Sequence, residues 1–262
     1  MLAEDRRKKI VEMLDEGGSV KVSRLAGTFQ VTEETIRRDL ELLEKDGYLT
    51  RTHGGAVKSS LDQQEIAFYI RNMRNREEKE AIGRKSLEYI QPGEVIALDA
   101  STTALQIARL LKENPIKDVV VITHALKVIM TLAESPTITV ISTGGVLEQR
   151  TMSFVGSLAE NALSNYNIKK AFVSCKGVTL EEGITESTDV QAKIKEEIVK
   201  GAKEVFLLAD HDKFGQAALA TVAPVTVVQK LITDDKTPLP EIERYRSEGI
   251  DVVAVDSGEG GR

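Results

Sequence analysis

Apolar residues recur at helical spacing three times near the start of the chain, and a turn signal follows each repeat. The pattern predicts a first helix that ends at Gly17 and Gly18, and a second that follows Ser23. A third helix is expected between Thr32 and Gly47. Ser23 and Thr32 are the expected N-caps, because a hydroxyl oxygen accepts a hydrogen bond from a free amide at a helix start. The residues expected to face inward are Ile10, Met13, Leu14, Leu25, Ala26, Phe29, Ile36, Leu40 and Leu43.

Residues 48–52 then alternate between apolar and polar side chains as a strand does, and the turn residues 53–55 follow them. Three helices and a hairpin in this order are the outline of a winged helix-turn-helix, whose recognition helix enters the major groove of DNA. A small three-helix module with solvated charges is the alternative, and Arg37 and Arg38 alone would favour it. The complete pattern favours a DNA-binding domain over residues 1–58. The candidate DNA-contacting residues are Ser23, Thr32, Glu34, Thr35, Arg37, Arg38, Arg51 and His53.

Residues 76–255 alternate between continuous apolar runs and helical segments. This alternation predicts an α/β domain with a mostly parallel sheet covered on both faces. A linker is expected over 59–75 and a flexible tail over 256–262, so the fold class is a small α+β module followed by a larger α/β domain. The predicted strands begin at Val95, Val119, Ile138, Ala171, Val205 and Lys230.

Polar residues follow four of these strands, at the sheet edge where parallel sheets bind ligands. Ser101, Thr102 and Thr103 stand at the start of a predicted helix, where free amides and hydroxyls suit a phosphate dianion. A capping cluster without a ligand is the alternative for these three residues. Taken together, the strand ends favour a ligand site. The candidates identified by position are Asp99, Ser101, Thr102, Thr103, His124, Gly144, Gly145 and Lys213.

Charge and composition limit the other possibilities. The chain of 262 residues carries a formal charge of −6, but residues 1–58 are neutral, so the net charge does not exclude DNA. One cysteine excludes a disulfide scaffold, and with three histidines we expect no metal site and no cofactor. Cys175 ends an apolar run and is expected to be a buried structural thiol. No apolar stretch approaches the ~20 residues of a membrane helix, and no signal peptide is evident, so we expect a cytoplasmic protein without a membrane partner.

Two motifs near the N-terminus, TIRRDL at residues 35–40 and RTHGGA at 51–56, resemble the DeoR family of bacterial transcriptional regulators. The later segments LDAST, ITHAL, STGG and LADHDKFG resemble the effector domain of that family, which is similar to ribose-phosphate isomerases. The resemblance implies that the 99–103 loop holds a phosphate. It also implies that Asp99, Gly144, Gly145, Arg150 and Lys213 surround a sugar. His124 stands where the family usually has Asn, and Ala100 where Gly is common.

The resemblance implies a regulator, most often a repressor, whose affinity for double-stranded operator DNA is switched by a phosphorylated sugar. We expect a homodimer or homotetramer and no catalytic residue. One alternative is a sugar-phosphate isomerase or deaminase with an accessory DNA-binding module, although its glycine-rich catalytic lysine loop is not found. Another alternative is a constitutive DNA-binding protein with a structural C-terminal domain. The polar residues that follow four of the strands argue against it, because they favour a ligand site.

Overall fold

The computed structural model describes residues 2–45, 48–58 and 68–258 and divides into two compact units, Met1–Arg74 and Asn75–Arg262. The first unit is a winged helix-turn-helix in which a three-stranded sheet has the order β1-β3-β2. Its elements are α1 (Ala3–Gly17), β1 (Ser19–Lys21), α2 (Val22–Phe29), α3 (Glu33–Lys45), β2 (Leu49–Thr52), β3 (Gly55–Lys58) and α4 (Phe68–Met73).

The predicted turn signals account for the end of α1 and the start of α3. Gly18 ends α1 with φ +67°, and its amide donates to the Leu14 carbonyl at 2.8 Å. Thr32 caps α3, where its hydroxyl accepts from the Thr35 amide at 3.2 Å. Gly47, the predicted end of α3, lies outside the described residues. The predicted inward-facing residues form the core, with Met13 and Ala26 packed against it.

Ser23 is not the N-cap of α2, so that prediction is wrong. The helix begins at Val22 directly after β1, and Ser23 lies exposed in its first turn. The Val22 amide donates to the Gly54 carbonyl at 2.9 Å, so the backbone of the wing satisfies the first helical amide. A side-chain cap is therefore unnecessary at that amide.

Strand β1 was not predicted, and it explains one glycine of the RTHGGA motif. Lys21 pairs with Gly55 in the β1–β3 ladder. A Cβ at position 55 would lie 1.9 Å from the Val20 carbonyl oxygen, whereas one at position 54 would meet nothing within 4 Å. Only glycine therefore permits the close approach of β1 to β3.

Helix α4 lies within the segment predicted as a linker. Its Ile70 is fully buried in the core of the first unit, and the Arg74 guanidinium lies 5.9 Å from the Tyr48 ring centroid. Residues 59–67 are outside the described part of the chain.

The second unit is built on a seven-stranded parallel sheet with the order β15-β14-β12-β9-β4-β5-β6. This confirms the predicted α/β class and all six predicted strands, and it adds β15. Its helices are α5 (Arg76–Leu87), α6 (Thr102–Glu113), α7 (Leu126–Leu132), α8 (Ser157–Leu163), α9 (Asp189–Gly201) and α10 (Leu239–Ser247). Its strands are β4 (Val95–Leu98), β5 (Val119–Thr123), β6 (Ile138–Ser142), β7 (Val146–Glu148), β8 (Ser153–Val155), β9 (Ile168–Ser174), β10 (Gly177–Thr179), β11 (Gly183–Glu186), β12 (Ala202–Leu208), β13 (Ala220–Ala223), β14 (Lys230–Asp234) and β15 (Asp251–Val255).

Two smaller antiparallel sheets lie outside the main sheet, one formed by β10, β11 and β13 and the other a hairpin of β7 and β8. At the start of the predicted tail, the Ser257 amide and hydroxyl donate to Asp235 Oδ1 at 3.1 and 2.5 Å. Residues 259–262 are not described. Within the described ranges, no helix combines the length and the apolar character needed to cross a membrane.

Candidate DNA-binding surface and effector site

The N-terminal half of α3 presents its polar face to solvent. Ile36 and Leu40 are buried, while Arg37 and Arg38 are exposed. Both arginines form ion pairs with glutamates one turn earlier: Arg37 Nη2 lies 2.6 Å from Glu33 Oε2, and Arg38 Nε lies 3.5 Å from Glu34 Oε1. The arginines are therefore accessible but already paired within the helix.

Arg51, on strand β2 of the wing, makes two hydrogen bonds to a single glutamate. Glu44 accepts two hydrogen bonds from Arg51, one from the backbone amide and one from Nε, both at 2.8 Å. These bonds hold the pKa of Glu44 below its usual value and raise the pKa of Arg51. His53 is exposed in the turn between β2 and β3. All eight predicted DNA-contacting residues keep at least partly exposed side chains.

One residue of the TIRRDL motif has a structural role. Asp39 is buried, and its Oδ2 accepts from Arg6 Nε at 2.5 Å. This ion pair joins α1 to α3 across the core. Removing one partner of such a pair would leave a buried charge, so we expect substitution of either residue to destabilise the first unit.

The predicted effector residues follow neighbouring strands at one edge of the parallel sheet. Leu98 is level with Thr123 on β5, and Thr123 is level with Ser142 on β6. On the other side of β4, Ser174 is level with Leu208. Asp99, His124, Thr143, Cys175 and Asp210 therefore follow these strand ends along the same edge, as predicted from the carboxyl ends of parallel strands.

Asp99 is fully buried, and its oxygens contact three groups of the protein. Oδ1 accepts from the Ser101 amide at 3.0 Å, Oδ2 accepts from the Ser174 amide at 2.8 Å, and Lys195 Nζ lies 3.0 Å from Oδ2. Burial raises the pKa of Asp99, but Lys195 and the other donors outweigh burial, so the pKa lies below its usual value. The carboxylate therefore fixes the loop that leads into α6.

Lys195 lies at the centre of the contacts around Asp99, and the sequence did not indicate it. Its ammonium donates to the Ser174 carbonyl at 2.7 Å and pairs with Glu186 as well as with Asp99. Burial lowers the pKa of Lys195, but the two carboxylates outweigh burial and raise it. A lysine on an amphipathic helix gives no sequence signal that it faces inward, because most such lysines are solvated.

The start of α6 is capped by one of the predicted effector residues. Ser101 is the N-cap, and its hydroxyl accepts from the Ala104 amide at 3.0 Å. Thr102 and Thr103 occupy the first turn, and all three residues are less than a tenth exposed. The capping role considered for this cluster is therefore real for Ser101, while the positive end of the helix dipole remains directed at the same loop.

His124 is fully buried, and neither ring nitrogen has a hydrogen-bond partner among the described residues. Burial lowers the pKa of its imidazole to about 4; Asp99 opposes this change and Lys195 reinforces it. The ring is therefore neutral near pH 7. A buried ring without partners is unfavourable unless another group satisfies it.

The glycine pair after β6 shapes the approach to the hairpin. Gly144 and Gly145 have φ of +63° and +115°, and a Cβ at position 145 would lie 2.8 Å from the Val155 carbonyl oxygen. Arg150 lies exposed on the loop between β7 and β8. The hairpin is held to α9 by Gln191, whose Nε2 contacts Glu148, Thr151 and Ser153, a network that the sequence did not indicate.

Asp210 and Lys213 lie close together in the segment that follows β12. Lys213 Nζ lies 3.9 Å from Asp210 Oδ2, and Oδ1 accepts from Asn75 Nδ2 at 3.1 Å. Burial raises the pKa of Asp210, but Lys213 and Lys79 outweigh burial, so the pKa is lowered. Burial raises the pKa of the Cys175 thiol to about 12, in agreement with a structural role.

His211 is held by the carboxylate of Asp234. Its Nδ1 lies 2.9 Å from Asp234 Oδ1, and its backbone amide donates to the other oxygen of the same carboxylate at 2.8 Å. Over the residues that the structure covers, no group of three histidine, cysteine or acidic side chains is arranged to hold a metal ion.

Comparison with known proteins gives matches in both units. The family model described as the DeoR-like helix-turn-helix domain matches residues 6–61, and that of the DeoR C terminal sensor domain matches residues 74–235. The uncharacterized HTH-type transcriptional regulator YulB of Bacillus subtilis is 40% identical over 97% of this chain and 98% of its own length. The putative aga operon transcriptional repressor of Escherichia coli is 30% identical over 96% of this chain and 93% of its own.

Among solved structures, a D-ribose-5-phosphate isomerase in complex with phospho-erythronic acid aligns with a TM-score of 0.39 and 18% identity, over 52% of each chain. The curated relatives decide the class of the protein, because they match nearly the whole chain and are named as regulators rather than enzymes. This disfavours the isomerase or deaminase alternative. The chain belongs to the DeoR family of DNA-binding transcriptional regulators.

Proposed function

We propose that this regulator represses a carbohydrate operon and that a phosphorylated sugar, bound at the carboxyl edge of the parallel sheet, switches its affinity for operator DNA. The observation that carries the proposal is the start of α6. There, Ser101, Thr102 and Thr103 surround the positive end of a helix beside a loop fixed by the buried Asp99–Lys195 pair. A phosphate dianion fits such a terminus.

The remaining candidates suit the sugar rather than the phosphate. A neutral His124 can donate one hydrogen bond and accept another, which matches a hydroxyl. Lys213 adds a cation near the buried Asp210. Relatives named for the aga and L-fucose operons support a carbohydrate-linked role. The proposal includes a homodimer or homotetramer that acts in the cytoplasm.

A thermal-shift screen of phosphorylated sugars tests the proposal. A ligand at a hundredfold excess over its Kd should raise the free energy of unfolding by about 2.7 kcal/mol. Thr102→Glu should abolish this shift because it places a negative charge where the dianion binds, and it should leave operator binding intact. Thr139→Glu adds the same charge on an exposed position of β6 and should keep the shift. A Thr102→Glu protein that responds as the wild type does would contradict the site.

A further inference from the structure

Three exposed arginine–glutamate pairs among the described residues of the first unit differ in which guanidinium nitrogen the carboxylate contacts. Glu33 contacts Arg37 through the terminal Nη2, whereas Glu44 contacts Arg51 through Nε and its backbone amide. Glu34 contacts Arg38 through Nε at the longer distance of 3.5 Å. The choice of nitrogen matters because a guanidinium makes bidentate contacts with the edges of its planar fork.

A carboxylate on Nε leaves much of the fork available. Arg51 still has the four N–H bonds of its two terminal nitrogens for an external acceptor, and its side chain is 42% exposed. A carboxylate on Nη2, as in Arg37, occupies one of the terminal donors instead. Arg37 also keeps four N–H bonds, so the difference lies in the anchor: Glu44 holds both the Nε and the backbone amide of Arg51.

We infer that Glu44 is a positioning residue for DNA binding: it holds Arg51 by Nε and by the backbone so that the terminal nitrogens of the guanidinium are presented to the DNA backbone. Glu44 lies in the last turns of α3, and Arg51 lies on β2 of the wing. Their contact joins the recognition helix to the wing arginine. An arginine that is oriented before binding loses less rotamer freedom when it contacts a phosphate.

Because α3 is acidic, the positioning role of Glu44 can be distinguished from the effect of its charge on DNA binding. The helix carries five acidic and three basic residues, so it has no net attraction for phosphates. Removal of any glutamate near the binding surface should strengthen DNA binding through charge alone. Removal of a glutamate that positions an arginine should instead weaken DNA binding once salt screens the charge effect.

The test measures the affinity of the full-length protein for a duplex selected by the wild type from a random-sequence library. Glu33→Ala should raise the affinity at low salt, and the rise should fade near 150 mM, where the Debye length is about 8 Å. Glu44→Ala should instead lower the affinity near that salt concentration by roughly twofold to tenfold, the effect of freeing one long side chain. Glu44→Gln keeps an oxygen acceptor and should recover part of the loss.

A double-mutant cycle shows whether Glu44 acts through Arg51. In an Arg51→Ala background, Glu44→Ala should cause no further loss and should behave as Glu33→Ala does. Two outcomes overturn the inference: a Glu44→Ala protein that binds DNA more tightly at both salt concentrations, or an equal loss with and without Arg51. An unchanged affinity of Arg51→Ala alone would also overturn it, by removing the wing arginine from the interface. None of these measurements contains a sugar phosphate, so their failure is distinct from that of the proposed effector site.

Discussion

Lys195 illustrates how one buried residue can organise a site. Its ammonium lies between Asp99 and Glu186 with no more than a twentieth of its side chain exposed. Lys195→Met should destabilise the protein by about 3–5 kcal/mol, because it leaves two buried carboxylates without their cation. Lys193→Met, on the exposed face of the same helix, should change stability by no more than about 0.5 kcal/mol. Urea denaturation of both variants measures the difference, and similar midpoints would contradict the assigned role of Lys195.

His124 makes the stability of the protein depend on pH. In the unfolded chain its imidazole gains a proton below about pH 6.5, whereas in the folded protein its pKa is about 4. The unfolded state therefore binds more protons between these values, so stability falls as the pH is lowered through this window, by up to about 3 kcal/mol.

His124→Asn removes this titration. Stability measured by denaturation from pH 7 down to pH 4 should decline less steeply in His124→Asn than in the wild type. Parallel pH profiles of the two proteins would show that the ring is not buried as a neutral group.

The sequence predicted the residues whose chemistry depends on their position after a strand. Asp99, the 101–103 cluster and His124 lie at the sheet edge because parallel strands place their carboxyl ends together. Lys195 and Gln191 could not be predicted in this way, because they lie in the middle and the first turn of α9 and acquire their partners by tertiary packing. A helix periodicity gives the buried face, but it does not reveal that a polar side chain is buried with partners.

At the scale of elements, the two glycines at positions 54 and 55 of the wing have different requirements. Gly55→Ala should destabilise the first unit by about 3 kcal/mol or more and abolish DNA binding, because its Cβ would overlap the backbone of β1. Gly54→Ala meets no neighbouring atom and should change stability by about 0.5 kcal/mol or less. Thermal unfolding and a DNA-binding titration check both variants. A Gly55→Ala protein with a normal melting temperature would contradict the β1–β3 pairing.

The elements that the sequence predicted are those with strong local patterns. Six strands of the main sheet are mainly apolar runs, and the three predicted helices of the first unit, α1 to α3, have clear apolar faces. Strand β1 has only three residues and forms because it pairs with β3, so no local sequence pattern predicts it. Ser23 was assigned a cap from its residue type, whereas α2 begins one residue earlier at Val22, whose amide donates to the Gly54 carbonyl of the wing.

At the scale of the whole molecule, operator recognition predicts assembly. One recognition helix makes few base contacts, and twofold proteins read paired half-sites separated by about one helical turn of DNA. The second unit also exposes large apolar side chains, among them Val146, Leu158 and Leu219. Light scattering should therefore give the mass of a dimer or tetramer at micromolar concentration. A monomer, both free and on DNA, would contradict this prediction.

The proposed switch requires that the effector and the operator influence each other's binding. Because coupling free energy is reciprocal, the protein bound to its operator should have an affinity for the sugar phosphate that differs from that of the free protein, typically by 1–3 kcal/mol. Calorimetric titration with and without operator DNA measures this difference. Lys213→Ala should weaken effector binding in both titrations by roughly 1.5–3 kcal/mol, the contribution of one charge-assisted hydrogen bond. It should leave the difference between the titrations largely unchanged, because it removes a contact with the ligand rather than the connection to DNA. Equal affinities of the wild type in the two titrations would mean that the ligand, although bound, does not regulate the protein.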